Sequence, residues 1–86
     1  MKVYIVCVTD HKNICALRAY ASKQKAIKVA LQCYADNIAY GMAIGKQASG
    51  NLIDMAADLA DGLDYFDEGL NYTYVIREDA IKTENN

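Results

Sequence analysis

The stretch Lys2-Val-Tyr-Ile-Val-Cys-Val-Thr9 decides the fold. It is dense in β-branched and aromatic residues, and an extended chain sets Val3, Ile5 and Cys7 on one face and Tyr4, Val6 and Val8 on the other. A strand that is apolar on both faces belongs in the interior of a sheet. Residues 10–13 form a polar turn cluster. Residues 14–21 then give a second extended segment with Cys15, Leu17 and Ala19 on one face, so the two read as a hairpin.

Ser22 stands where an N-cap is needed, because its hydroxyl can accept from the free N–H groups of a first helical turn. A helix starting at Lys23 places Ala26, Ile27, Ala30, Leu31, Tyr34 and Ile38 in one apolar stripe. Lys23, Lys25, Lys28, Gln32 and Asp36 fall largely on other faces. Gly41 and Gly45 each cost about 1 kcal/mol against Ala inside a helix, which predicts a break within residues 41–50. Asn51 is a second cap. Leu52, Met55, Ala56, Leu59 and Leu63 form the apolar side of a second helix that Gly62 helps to end.

Residues 64–69 read as a loop, and residues 70–77 as a last strand with Leu70, Tyr72, Tyr74 and Ile76 alternating against Asn71, Thr73, Val75 and Arg77. Residues 79–86 are expected to fray. The expectation is one α+β domain over residues 1–86: a small three-stranded, mainly antiparallel sheet with two helices packed on one face, in the order β-β-α-α-β.

Composition fits a globular domain, with 53% hydrophobic and 23% charged residues among 86. No stretch approaches the roughly 20 apolar residues of a membrane span, and the opening apolar run is too short for a secretion signal, so a cytoplasmic protein without membrane contact is expected. Cys7, Cys15 and Cys33 form no C-x-x-C pair and leave one over. They read as small buried apolar residues rather than a disulfide framework.

Charge is distributed unevenly. Residues 1–46 carry seven Lys and Arg against two acids, and residues 47–86 carry two against nine. Asp54, Asp58, Asp61, Asp64, Asp67 and Glu68 occur with no intervening base, and Tyr65 and Phe66 lie among them. Carboxylates steer a basic partner and aromatics give contact area, so this segment is the candidate partner-binding surface. A metal is not expected, because the acids lack calcium-loop spacing and a row on a helix rarely supplies 6 to 8 oxygens. Lys23, Lys25 and Lys28 form a secondary basic face. With an overall excess of acids and no aromatic interleaved among the lysines, direct nucleic-acid binding is not expected.

Catalysis needs a base or nucleophile with a partner. The one imidazole, His11, lies in a turn, and Cys7 lies in an apolar strand where a thiol is a packing group. The chain therefore reads as non-enzymatic, with no cofactor.

The opening Met1-Lys-Val-Tyr-Ile-Val, the run Ala19-Tyr-Ala-Ser-Lys-Gln-Lys-Ala-Ile27 and the closing Tyr72-Thr-Tyr-Val-Ile resemble small uncharacterised proteins encoded by bacteriophages and their hosts. The resemblance covers residues 1–40 and the last strand, and the glycine-rich and acidic middle departs from it. It implies an accessory role, often inhibition of a host protein. Combined with the acidic segment, it gives the expectation of an inhibitor of a host nucleic-acid-handling or defence complex, of anti-CRISPR or anti-restriction type. Such an inhibitor would imitate phosphate charge in a basic groove. The alternative is a small homo-oligomeric regulatory module, two copies of which pair through strand edges or helices and hold a ligand or nucleotide at the seam.

Overall fold

The strand apolar on both faces is central. In the computed structural model, which describes residues 1–10 and 12–80, β1 (Lys2–Asp10) pairs antiparallel with β2 (Ile14–Tyr20) on one side and with β4 (Tyr72–Ala80) on the other. β3 (Tyr65–Asp67) pairs antiparallel with β4 and completes a sheet of order β2-β1-β4-β3. The Asp10 carboxylate closes the first hairpin by accepting from the N–H groups of Lys12 at 2.8 Å and Asn13 at 2.7 Å. The register slips between Val8 and Thr9, which makes Cys15 the extra residue of a bulge.

The expected three-stranded sheet is thus four-stranded. Residues 65–67 form a strand rather than loop, because Tyr65 opposite Tyr74 and Asp67 opposite Tyr72 turn inward while Phe66 turns outward. The last strand starts at Tyr72 rather than Leu70 and carries on through Asp79 and Ala80, which face Val3 and Lys2. The rest of the expected tail, residues 81–86, lies outside the described residues, as does His11.

α1 (Lys23–Ala43) begins as its cap predicts, with Ser22 Oγ accepting from the Lys25 N–H at 3.2 Å. It lies over β1 and buries Ala26, Ala30 and Tyr34 against Val6, Val8 and Tyr74. The expected break within residues 41–50 is present and falls after Ala43, while Gly41 itself stays inside the helix. The bare Cα lets Leu70 pack where a Cβ would stand 2.6 Å from its Cδ2, which offsets the helix penalty. The helix ends at Ala43, and just past its cap Gly45, with a φ of 81°, allows the Lys46 N–H to reach the Gly41 carbonyl at 2.7 Å. α2 (Leu52–Ala60) is capped by Asn51 and ends the same way, with Leu63 N–H on the Asp58 carbonyl at 2.8 Å beyond Gly62. Met55 and Leu59 enter the core, whereas Leu52 and Leu63, expected there, are exposed. α2 is only nine residues long, and after the chain reverses at Gly62 Leu63 no longer follows the helical stripe.

The opposite face of the sheet carries Ile5, Cys7, Leu17, Val75 and Phe66. Cys7 and Cys33 are half-buried, and Cys15, expected to be interior, is exposed because the bulge places it at the sheet edge.

Candidate protein-binding surface

The carboxylates of the acidic segment fall into two groups with opposite roles. Asp54 lies in the first turn of α2, accepts from Asn51 Nδ2 at 3.0 Å and donates its N–H to Asn51 Oδ1 at 2.8 Å, a reciprocal cap. Asp61 and Glu68 are exposed and Asp58 is half-buried. Among the described residues none of these four makes an ion pair. Asp64 is exposed but engaged: Arg77 Nη1 and Nη2 donate to its two oxygens at 2.8 and 3.3 Å, and this hydrogen bonding holds its carboxyl below the ordinary range. Arg77 itself belongs to the acidic half of the chain, so the pair does not draw on the basic half.

Asp67 and Tyr65, both expected on the partner surface, are interior. The Asp67 carboxylate is 0% exposed and accepts from Tyr34 Oη, from the Ser49 N–H and Oγ at 3.1 Å each, from the Gly50 N–H at 3.1 Å and from the Leu70 N–H at 2.9 Å. Burial alone would raise its pKa. The Tyr34 hydroxyl and the three backbone N–H groups outweigh that and bring it from 3.8 down to about 2. Tyr34, in turn, is pushed up by burial and then by its bond to Asp67. Tyr65 is buried against Tyr34 with ring centroids 5.7 Å apart, and its hydroxyl accepts from the Asn51 N–H at 3.0 Å. Both residues lie inward because β3 alternates, which leaves Phe66, 55% exposed, on the far face of the sheet and away from α2.

A pH dependence follows from the depressed carboxyl. Its stabilisation is complete above the unfolded value near 3.8 and is lost as pH falls through about 2. Circular dichroism titration is expected to show loss of stability on the order of 2 kcal/mol between about pH 5 and pH 2, a component that Asp67→Asn lacks.

The apolar part of the surface was not legible as such. Ile53, 82% exposed, and Leu63, 57% exposed, are sequence neighbours of Asp54 and Asp64 and are exposed apolar side chains where Tyr65 is buried. The one available signal was that nine helical residues cannot bury Leu52, Ile53, Met55, Ala56 and Leu59 on one side. Next to this surface a groove of about 550 Å³ opens between the end of α2 and β4, floored by Tyr4, Leu59 and Ile76 and rimmed by Lys23, Asp64 and Glu78.

Of the secondary basic residues, Lys23 is structural. Its Nζ donates to the Ala60 carbonyl at 2.9 Å, placing a cation at the C-terminus of α2. Lys25 and Lys28 are exposed and make no ion pair among the described residues. Lys2 and Glu78 form an ion pair between the two halves of the chain at 3.9 Å, and both side chains are largely exposed. Among the described residues no three His, Cys, Asp or Glu side chains converge as a cation site, and no helix is long and apolar enough to cross a membrane. Compared with protein-family models, with curated proteins and with solved structures, the chain matches none.

Proposed function

We propose that this chain is a non-enzymatic protein-binding module that acts in the cytoplasm as an inhibitor of bacteriophage type. It seats an acidic surface in the basic, nucleic-acid-binding groove of a host defence or nucleic-acid-handling complex. The observation that carries this reading is that, among the described residues, the carboxylates of Asp54, Asp58, Asp61 and Glu68 make no ion pair with the lysine-rich half of the same chain. Lys23, the lysine nearest α2, spends its charge on a backbone carbonyl. The field of these acids is left for a partner, and phosphate-binding grooves are the intracellular surfaces that such a field fits. Ile53 and Leu63 supply the desolvated contact that charge alone lacks. Asp64 serves as a rim residue, already committed to Arg77.

The test is capture of partners from a bacterial lysate at about 0.05 and 0.5 M salt, followed by competition with duplex DNA and with structured RNA. The expected result is a nucleic-acid-binding protein that is released by salt and displaced by one of the two polymers. Its affinity should fall at least about tenfold for the combined Asp54→Asn, Asp58→Asn, Asp61→Asn and Glu68→Gln variant. Recovery of nucleic acid alone, or binding indifferent to salt and to the four substitutions, overturns the proposal.

A further inference from the structure

The two edges of the sheet are built differently. β3 is three residues long, its Asp67 is locked by donors from three segments, and the Asp64–Arg77 pair lies beside its start. A short edge flanked by charge is protected against further pairing. β2 at the other edge is seven residues long, contains neither proline nor glycine and carries one charge, Arg18. Its only irregularity is the bulge at its start, which leaves Ala16 to Tyr20 in regular pairing with β1. Leu17 is 59% exposed, and the outer backbone groups of β2 meet no further strand among the described residues.

α1 runs back alongside this edge, because only two residues separate Tyr20 from Lys23. Val29, Gln32 and Asp36 lie on the flank of α1 beside β2, and Lys25 continues their row at helical spacing. With Arg18 and Ala16 opposite, Val29, Gln32 and Asp36 line an open groove of about 310 Å³. The flank therefore has a basic end, an apolar and neutral middle, and an acidic end. Among the described residues Lys25 and Arg18 form no ion pair, and Asp36 accepts from Gln32 alone, at 3.0 Å.

We propose that the β2 edge is a homodimer interface, in which two copies join antiparallel across a two-fold axis at Leu17 to make a continuous eight-stranded sheet. The register follows from side-chain direction and charge. Residues directly opposite each other must lie on the same face, so the axis passes through a residue, and an axis at Arg18 would set two guanidinium groups against each other. An axis at Leu17 instead pairs Leu17 with Leu17 of the second copy and Arg18 with Ala16 of the second copy. A helix rises about 1.5 Å per residue and a strand about 3.3 Å, so the run from Lys25 to Asp36 spans nearly the same length as β2, and its midpoint lies beside Leu17. The same two-fold therefore brings Lys25 toward Asp36 of the second copy and Asp36 toward Lys25 of the second copy. With α1 above β1, three strand spacings separate the two α1 axes by roughly 14 Å, a gap that a lysine and an aspartate can bridge. The acidic surfaces of α2 lie toward the opposite edges and face outward, so the dimer would present two of them.

Sedimentation velocity on the whole chain across a concentration series tests the proposal. A dimer is expected at or below about 0.1 mM, weakened by salt. Asp36→Lys should weaken it at least about tenfold, and adding Lys25→Asp should restore it, because the swap re-creates both cross-pairs. In a Cys7→Ser, Cys15→Ser background, which removes the free thiol directly across from position 17 in the same chain, Leu17→Cys should form a covalent dimer on mild oxidation, since position 17 faces itself. A monomer throughout the series overturns the proposal. So does a dimer that the charge swap leaves unrestored and that Leu17→Cys does not cross-link, which would place the contact elsewhere. Neither outcome bears on the acidic surface, whose four carboxylates are on the other side of the molecule.

Discussion

Asp67→Ala is expected to cost about 3 to 5 kcal/mol, enough to unfold much of the population of a domain this size at 25 °C. Truncation removes one acceptor that serves Tyr34, Ser49, Gly50 and Leu70 together. Each orphaned buried donor costs roughly 1 to 3 kcal/mol, reduced where water can enter beside Ser49. Asp67→Asn keeps the volume but presents an amide N–H₂ to donors and should recover only part of the loss. Tyr34→Phe removes a single donor and should cost no more than about 1.5 kcal/mol. Urea denaturation of the three variants checks the order. If Asp67→Ala fell no further than Tyr34→Phe, the carboxylate would not organise the segment around it.

Gly69→Ala is the second large effect. A Cβ at this position would stand 2.0 Å from the Gln47 carbonyl oxygen and 3.0 Å from the Ser49 nitrogen, both backbone atoms that no rotamer change can move aside. The segment at residues 47–49 would have to shift, taking with it the Ser49 donors to Asp67 and the Gly69 N–H bond to Ser49 Oγ at 3.0 Å. We expect a loss of about 3 kcal/mol or more. Gly45→Ala is the control. It meets nothing within 4 Å but must hold a φ of 81°, which costs about 1 to 2 kcal/mol. Equal urea midpoints for the two variants would mean that the approach of residues 47–49 to Gly69 is not rigid.

These residues also show where sequence reading works. Ser22, Asn51 and Gly62 act within one turn of their own position, and the structure places them as caps and terminator where local chemistry put them. The alternation of β1 survives because strand direction is set residue by residue. Asp67 could not be placed in this way. A carboxylate is normally exterior, and what reverses that preference is donors supplied from residues 34, 49 and 50, far away in the chain. A partial signal existed in Tyr65-Phe-Asp67 followed by Gly69, since period-two alternation puts Tyr65 and Asp67 on one side. Three residues are too few to distinguish that from a loop. The break expected within residues 41–50 occurs after Ala43, and that Gly41 stays helical rests on the approach of Leu70, which lies in a distant segment.

The pairing of the first strand with the last sets a constraint on how the chain is made. The first neighbour of β1, β2, follows it directly in the chain, but its second neighbour, β4, is encoded about 60 residues later, and at roughly 5 to 20 residues per second it arrives some seconds afterwards. Until then the hairpin exposes two open edges and the apolar faces of Val6 and Val8. Closure of the sheet is a long-range event that no local element can bring forward, so the nascent protein passes through an interval in which its own most apolar strand is available to other chains.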